Sequence, residues 1–226
     1  MKLLELFAGT RSISKAFEKR GHKTYSIEWD KQFENIDIYD DINNITAKDI
    51  IKLCNGVPDV IWASPDCTTY SIAGISHHRK QNKDTNNLDP VSDYAKFCDN
   101  TNKHVLDLIE ELKPKYYFIE NPRGALRKMD FMKGLYRYTV TYCQYGDNRM
   151  KPTDIWTNYP DPKFKKPCKN GDKCHEPAPR GSRTGTQGIV GAKERSVIPE
   201  QLCEYIVKIC EEGKWINKKK KYTREQ

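Results

Sequence analysis

Short apolar segments alternate with amphipathic segments along most of the chain. Four segments are predicted strands: residues 3–7, 22–29, 57–63 and 116–119. Three segments between them carry apolar side chains at helical spacing: residues 11–20, 46–53 and 91–112. Regular alternation of strands and helices predicts an α/β fold built on a mostly parallel sheet.

Residue types at the ends of these segments predict several boundaries. Thr46, with Asp49 three residues later, is typical of a helix N-terminus. Asp89-Pro90 has the chemistry of a helix start and is expected to begin the long helix. The polar residues 72–89 are expected to form a mobile loop, either a lid over a site or a plain surface loop.

The C-terminal third of the chain is less regular. Residues 139–145 and 154–157 are predicted strands, and residues 200–212 are a predicted helix. Between them, residues 158–192 are rich in Pro, Gly, Lys and Arg, which is typical of loops. We therefore expect a short irregular segment inserted before the last helix.

The first 30 residues form a strand–turn–helix–strand pattern. Ala8-Gly9 lies in the turn, and Glu28-Trp29 ends the second strand. In α/β folds the helix N-terminus faces a charged group, and an acid at this strand end binds ribose hydroxyls. The pattern predicts a nucleoside pocket, although Gly9 is the one glycine of the usual fingerprint. An ordinary surface acid is the alternative interpretation of Glu28.

Two chemically distinctive side chains follow later strands. Cys67 comes directly after the strand at 57–63, within Ser64-Pro65-Asp66-Cys67, and Glu120 follows the strand at 116–119. Parallel strands end at one edge of a sheet, where open α/β folds bind their ligands. The sequence therefore predicts a thiol, a carboxyl group and a nucleoside pocket at the same edge, which suits nucleophilic catalysis. A structural cysteine would more often lie inside an apolar run.

Composition limits the class of protein. The chain has 226 residues, enough for one domain with a small appendage, and its mean hydropathy is −0.84. No apolar run approaches the roughly 18 residues of a membrane span, and the N-terminal run carries an acid, so we read it as a strand and not as a signal peptide. Eight cysteines lie mostly inside periodic patterns, which favours reduced thiols in an intracellular, cytoplasmic protein without a membrane partner.

Positive charge is concentrated in two segments. The net charge is +8; residues 163–183 hold seven Lys/Arg against two acids, and residues 214–226 hold six against one. Such clusters favour a polyanionic partner, although a lysine-rich tail is equally typical of a solvated end. Cys168, Cys174 and His175 are three candidate zinc ligands without an evident fourth, so a structural zinc and a loop with exposed thiols both stay open, and no metal is assigned.

These motifs together resemble the cytosine-C5 DNA methyltransferases. Phe7-Ala8-Gly9 is similar to the family's first motif, which binds S-adenosylmethionine. Glu28-Trp29 resembles the pair that holds the ribose and adenine, and Asp41-Ile42 the pair that contacts the adenine ring. Ser196-Val197 resembles the last motif, which completes the cofactor pocket. The resemblance thus implies a Rossmann-like class I methyltransferase sheet that binds S-adenosylmethionine.

The same resemblance implies the catalytic residues. Ser64-Pro65-Asp66-Cys67 is similar to the family's Pro-Pro-Cys-Gln motif, so Cys67 would be the nucleophile and Pro65 a cofactor contact. Glu120-Asn121-Pro122 resembles Glu-Asn-Val, with Glu120 as the group at cytosine N3. Arg149 and Lys151, after Tyr145-Gly146, resemble the basic motif that closes on the base. The family's large target-recognition domain is replaced here by a short basic segment.

We therefore expect four regions: a catalytic core at 1–157, a basic target-recognition insert at 158–195, a core-completing helix at 196–213 and a basic tail at 214–226. Within the insert, Arg180 to Gly188 is expected to reach phosphates or base edges, or else to be a flexible linker.

The reaction implied by the resemblance is methylation of cytosine C5 in double-stranded DNA, with the base flipped out of the helix. Three alternatives stay open: the same chemistry on RNA such as tRNA, a non-catalytic DNA-binding member of the fold, and transfer of another one-carbon group.

Overall fold

A seven-stranded sheet organises the chain in this computed structural model, which describes residues 1–85, 87–176 and 191–213. Its strands, in chain order, are β1 (Lys2–Leu6), β2 (Lys23–Glu28), β3 (Ile38–Tyr39), β4 (Val60–Ala63), β7 (Tyr116–Pro122), β8 (Arg137–Thr141) and β9 (Pro152–Thr157). A separate hairpin is formed by β5 (Arg79–Gln81) and β6 (Leu88–Pro90).

The strand order of the large sheet is β3-β2-β1-β4-β7-β9-β8. The first five of these strands run parallel, and β9 lies antiparallel between β7 and β8. The chain starts in the middle at β1, moves outward to β3, and returns to β4 on the other side of β1. The gap between the ends of β1 and β4 is therefore a topological switch point, where ligands bind in such folds. The predicted Rossmann-like α/β fold is confirmed.

Helices cover both faces of the sheet. They are α1 (Ser12–Lys19), α2 (Ala47–Leu53), α3 (Ile75–His78), α4 (Asp93–Leu112), α5 (Ala192–Ser196) and α6 (Glu200–Glu212). On one face the core joins Leu4 and Ile61 to α2 and α4, and on the other it joins Leu3 and Trp62 to α1 and α6. Within the described ranges, none of these helices is both long enough and apolar enough to cross a lipid bilayer.

The cap predicted at α2 is confirmed, whereas the predicted start of α4 is wrong. The Thr46 hydroxyl accepts a hydrogen bond from the Asp49 backbone N–H, and the Asp49 carboxylate accepts one from that of Thr46. α4 begins after Ser92, whose side chain accepts a hydrogen bond from the Ala95 N–H at 3.1 Å. Asp89-Pro90 lies in β6 instead, because that segment pairs with β5.

Two further predictions need correction. Residues 72–89 are not an irregular loop, because they include α3, β5 and the start of β6. The strand predicted at 139–145 ends at Thr141, and residues 142–145 form a 3₁₀ turn closed at Gly146, whose φ is +92°. Tyr142, the first residue of this turn, is buried and hydrogen-bonds to Glu120 on β7.

Candidate active site at the carboxyl edge of the sheet

The register of the sheet explains why distant residues meet at one edge. Leu6 lies beside Ala63, and Ala63 lies beside Ile119, so β1, β4 and β7 reach this edge together. Cys67, which follows β4, and Glu120, near the end of β7, are therefore brought to the same edge. β9 runs in the opposite direction, so its first residues, and Lys151 just before them, lie at this edge too. The prediction that thiol and carboxyl group share an edge is confirmed.

The loop that carries Cys67 is held by backbone contacts. The Cys67 carbonyl accepts hydrogen bonds from the N–H groups of Tyr70 (3.0 Å) and Ser71 (2.9 Å), which makes a tight turn. The buried Asn121 side chain donates to the Pro65 carbonyl at 2.8 Å and so ties this loop to β7. A Cβ atom at Gly124 would lie 2.3 Å from the Tyr70 carbonyl oxygen, so only glycine allows this close approach.

The electrostatic surroundings keep Cys67 protonated in the resting protein. Its thiol is half-buried, and burial raises its pKa to about 11, with the charges of Asp66 and Glu120 acting in the same direction. The charge of Lys151 opposes this increase. A thiolate, the reactive form, is therefore scarce at neutral pH until substrate or a change in these charges favours it.

Glu120 is buried and held by a tyrosine. Its side chain is 6% exposed, and the Tyr142 hydroxyl donates a hydrogen bond to its Oε1 at 3.0 Å. Burial, followed by the charge of Glu120, raises the pKa of Tyr142 well above its usual value, so the phenol stays a donor. The sequence pattern did not identify Tyr142, because it resembles an ordinary strand residue.

Lys151 and Arg149 have different environments. Burial lowers the pKa of Lys151, although Glu120 and Cys67 act against this shift, which places the ammonium among these catalytic candidates. Its Nζ donates to the Arg195 carbonyl at 2.7 Å and lies 4.6 Å from the centre of the Tyr142 ring. Arg149 is instead oriented by Asp147, with Nε 2.8 Å from Oδ1 and a second hydrogen bond to Oδ2.

An open cleft lies at the switch point, and Pro65 and Asp66, just before Cys67, form part of its lining. Six residues that the sequence assigned to cofactor binding line it: Phe7, Glu28, Trp29, Asp41, Ile42 and Pro65. The Trp29 indole is 64% exposed, so its face is free for stacking. The far wall comes from α4 and includes Tyr94, which also hydrogen-bonds to Asp66 next to the nucleophile candidate.

The Glu28 carboxylate shapes the end of this cleft. It accepts hydrogen bonds from the backbone N–H groups of Gly9 (2.9 Å), Trp29 (2.9 Å) and Asp30 (3.0 Å). These contacts join the turn after β1 to the end of β2. The turn is tight, with left-handed φ angles at Phe7, Gly9 and Arg11.

The remaining residues assigned to the cofactor lie around the first turn. Ala8 is buried in it, and a Cβ atom at Gly9 would come within 3.6 Å of the Ser196 hydroxyl oxygen. The neighbouring Ile198 N–H donates to the Ser12 hydroxyl at 3.2 Å, which packs this C-terminal segment on the start of α1. Val197 is 41% exposed beside it.

A buried ion pair under the Cys67 loop was not predicted. Arg79 is 3% exposed, and its guanidinium donates to both carboxylate oxygens of Asp99, at 2.7 and 3.1 Å. It also donates to the Thr69 carbonyl at 3.0 Å and lies 4.2 Å from the centre of the Tyr70 ring. The hairpin of β5 and β6 is thereby attached to α4 and to the loop of Cys67.

The basic insert is described only in part. Residues 158–176 lead away from β9 and bring Cys168, Cys174 and His175 to the turn at 142–145, where Cys143 lies. The predicted nucleic-acid contact at Arg180 to Gly188 lies outside the described residues, and so does the tail at 214–226.

Comparison with solved structures gives distant similarities. The chain is similar to a Schizosaccharomyces pombe Dnmt2 methyltransferase (14% identity, TM-score 0.47, 70% of this chain and 48% of the other). It is also similar to a Spodoptera frugiperda DNMT2 mutant (16% identity, TM-score 0.45, 78% of this chain and 57% of the other). The chain thus spans about half the length of these structures.

Comparison with curated sequences and with protein families is more informative. A probable DNA (cytosine-5)-methyltransferase of Frog virus 3 (isolate Goorha) is 26% identical over 171 residues, which cover 70% of this chain and 71% of the viral protein. The type II methyltransferase M.Bsp6I of Bacillus sp. (strain RFL6) is 29% identical over 136 residues, 56% of this chain and 37% of that protein.

The model of the C-5 cytosine-specific DNA methylases matches residues 1–135, more than half of the chain. The predicted family and enzyme class, a DNA cytosine-C5 methyltransferase, are therefore confirmed. On this evidence the chain belongs to the C-5 cytosine-specific DNA methylase family.

Proposed function

We propose that this chain methylates C5 of cytosine in double-stranded DNA through a covalent adduct of Cys67, with the target base flipped out of the helix. One observation carries the proposal above all: a half-buried cysteine shares a sheet edge with a buried glutamate and a half-buried lysine, beside the switch-point cleft. A binding module has no use for this set of groups, so we favour an enzyme.

The proposed chemistry begins at Cys67. Its Sγ, once deprotonated, adds to C6 of the cytosine, and the electron pair of the C5–C6 double bond moves toward C5. Glu120 takes up a proton when the cytosine is bound, and its carboxyl group then donates a hydrogen bond to N3 and stabilises the ring as this charge develops. The Lys151 ammonium stabilises the thiolate, and its contact with the Tyr142 ring keeps it oriented.

Methylation and release complete the cycle. When bound, S-adenosylmethionine would supply an electrophilic methyl group. C5 takes up this group as its carbon–sulfur bond breaks, and S-adenosylhomocysteine leaves with the bonding electrons. The C5 proton then passes to a base, and its bonding electrons reform the C5–C6 double bond while Cys67 leaves as a thiolate. Thr153 Oγ1, which is buried at the start of β9, lies at the same edge as Lys151 and is a further candidate contact to the base.

The cleft beside Cys67 fits S-adenosylmethionine chemically. Glu28 supplies a carboxylate for the ribose hydroxyls, Trp29 and Ile42 supply apolar surface for the adenine, and Asp41 lies next to them. Phe7, Ala8 and Gly9 form the turn that would face the charged methionine end, and Pro65 lines the cleft next to the nucleophile. Ser196 and Val197 would close this pocket from the C-terminal side.

DNA contacts are assigned to the basic parts of the chain. The insert at 158–195 would serve as target-recognition segment and the tail at 214–226 as a salt-dependent contact to phosphates. The residues at 196–213 would complete the catalytic core of 1–157. We also propose an intracellular, cytoplasmic location, which suits a DNA substrate and a reduced catalytic thiol.

A transfer assay with labelled S-adenosylmethionine tests the proposal. We expect label in duplex DNA, recovered as 5-methylcytosine after hydrolysis, and its loss in Cys67→Ala. Cys54→Ala is the matched control, because Cys54 is fully buried at the end of α2, toward the start of β4 and not its carboxyl end, and should keep the activity. Label in RNA and not in DNA would replace the proposal with RNA methylation. DNA binding without transfer to either substrate would favour a non-catalytic member of the fold.

A further inference from the structure

Four metal-ligand side chains meet behind the 3₁₀ turn at 142–145. The Sγ atoms of Cys143, Cys168 and Cys174 and the Nδ1 atom of His175 all lie within 4.8 Å of one another. Cys143 belongs to the turn after β8, whereas the other three come from the basic insert. The sequence offered three of these ligands, and the fold supplies Cys143 as the fourth.

The distances suit one tetrahedral ion. Zinc binds thiolate at about 2.3 Å and imidazole at about 2.0 Å, so the edges of such a tetrahedron are roughly 3.4–3.8 Å. Here Cys174 Sγ is 3.6 Å from Cys143 Sγ, and Nδ1 of His175 is 3.5 Å from Cys174 Sγ and 3.7 Å from Cys168 Sγ. The two closest sulfurs, those of Cys143 and Cys168, are 3.1 Å apart, well beyond a disulfide bond of about 2.05 Å.

The orientation of the histidine supports a ligand role. His175 is 8% exposed, and its Nδ1 faces the sulfurs. Its Nε2 is buried without a hydrogen-bond partner among the residues that the structure describes. No hydrogen bond from that side therefore explains the position of the ring, and the sulfur cluster does. Three sulfurs and one imidazole form a soft donor set, which binds zinc in preference to hard cations such as Mg²⁺ and Ca²⁺.

Backbone contacts hold the ligand segment in place beside the core. The Cys168 N–H donates to the Thr141 hydroxyl at 3.1 Å, and the Glu176 N–H donates to the Asn148 carbonyl at 2.9 Å. One end of the ligand segment is thus attached to the last residue of β8, and the other end to the connection between β8 and β9. This connection carries Tyr142 directly before Cys143, so the cluster adjoins the hydrogen bond to Glu120.

We propose that Cys143, Cys168, Cys174 and His175 bind one structural zinc ion, which attaches the basic insert to the catalytic core. Protein side chains fill all four coordination positions, so the site has no open position for catalysis and its role is structural. Binding converts three thiols to thiolates, with the three protons released to solvent, and the neutral imidazole coordinates through Nδ1. The ion would fix the turn at 142–145 and the first part of the insert relative to each other.

Metal analysis of the full chain tests this inference. The protein should be purified without a histidine tag or chelator and with its thiols reduced, and its zinc content should be measured by elemental analysis. We expect one zinc per chain, with most of it lost in Cys143→Ala and in His175→Ala. Cys54→Ala and Cys67→Ala should retain the wild-type content, since neither residue belongs to the cluster.

A second variant separates loss of a ligand from loss of the fold. His175→Cys keeps four donors, so it should retain one zinc per chain. After replacement of zinc by cobalt(II), wild-type protein should show the absorption of a tetrahedral thiolate site, and His175→Cys should show stronger sulfur-to-cobalt charge transfer.

Three results would overturn the inference: wild-type protein that holds neither zinc nor tetrahedral cobalt, Cys143→Ala with wild-type zinc content, or a Cys143–Cys168 disulfide in protein purified with reductant. None of these readouts depends on methyl transfer. A zinc-bound Cys67→Ala protein without activity would therefore support both proposals, and each can fail without the other.

Discussion

The Tyr142 hydroxyl donates a hydrogen bond to Oε1 of Glu120 at 3.0 Å, and this contact links the turn after β8 to the end of β7. Both side chains are buried, so water does not replace the donor easily. Tyr142→Phe should therefore lower kcat by up to about 10-fold, the equivalent of one hydrogen bond between neutral groups. Steady-state kinetics should show little change in the KM for S-adenosylmethionine.

Tyr159→Phe is the matched control for this change. Tyr159 is also buried, but its hydroxyl has no hydrogen-bond partner among the described residues. Its kcat should equal that of the wild type. An unchanged kcat in Tyr142→Phe would show that the hydrogen bond does not position Glu120 for the reaction.

The raised pKa of Cys67 predicts a steep pH dependence of its alkylation. With a pKa of about 11, the reactive thiolate should increase roughly tenfold per pH unit between pH 7 and 10. Iodoacetamide labelling of the Cys67 peptide, followed by mass spectrometry, measures this rate in the protein without DNA.

Two substitutions should shift the alkylation rate of Cys67 in opposite directions. Glu120→Gln removes a negative charge that disfavours the thiolate, so labelling at pH 8 should become faster. Lys151→Met removes the favourable positive charge, so labelling should become slower. A plateau below pH 8 in the wild type would contradict the burial-dominated account.

The buried pair of Arg79 and Asp99 should be important for stability. Asp99→Asn leaves the guanidinium buried without its counter-ion, and the free energy of unfolding should fall by about 3–5 kcal/mol. Lys96→Ala is the control on the same helix, since its ion pair with Asp93 is exposed and should contribute at most about 1 kcal/mol. Urea denaturation measures both. Equal losses in the two variants would contradict the assigned role.

Glu5 predicts a pH dependence of stability. It is buried on β1, and burial raises its pKa from 4.5 to about 7, so the folded chain binds this proton more tightly than the unfolded chain. The stabilisation that Glu5 contributes to the folded chain is therefore complete below pH 4.5 and is lost as the pH rises through 7.

Comparison with Glu5→Gln isolates this contribution. Between pH 5 and 8, the free energy of unfolding of the wild type should fall relative to Glu5→Gln, by about 3 kcal/mol at most. Parallel stability curves for the two proteins would show that Glu5 does not titrate in this range.

The parts of the site that the sequence predicts are those set by strand ends. Cys67 and Glu120 each follow an apolar run, and parallel strands bring such positions to one edge whatever the details of the connections. The nucleoside pocket follows from the same rule, because Glu28 ends the strand next to β1.

The missed parts depend on contacts between distant segments. Arg79 lies in a polar stretch and resembles a surface residue until the fold places Asp99 against it. Cys143 lies 25 residues before Cys168 inside an apparent strand, so spacing did not reveal it as a ligand. The start of α4 was misplaced because Asp89-Pro90 and Ser92 are both good helix starts, and the pairing of β5 with β6 favours the second.

The most direct test of the central claim is covalent trapping on a substrate analogue. Duplex DNA with 5-fluorocytosine cannot lose its C5 substituent after methyl transfer, so the adduct with the nucleophile should persist. With labelled S-adenosylmethionine, we predict a denaturation-resistant, labelled protein–DNA complex, with the DNA attached at Cys67. The complex should be absent in Cys67→Ala and retained in Cys54→Ala. A labelled complex that forms equally well in Cys67→Ala, or methyl transfer without any dependence on Cys67, would contradict the account.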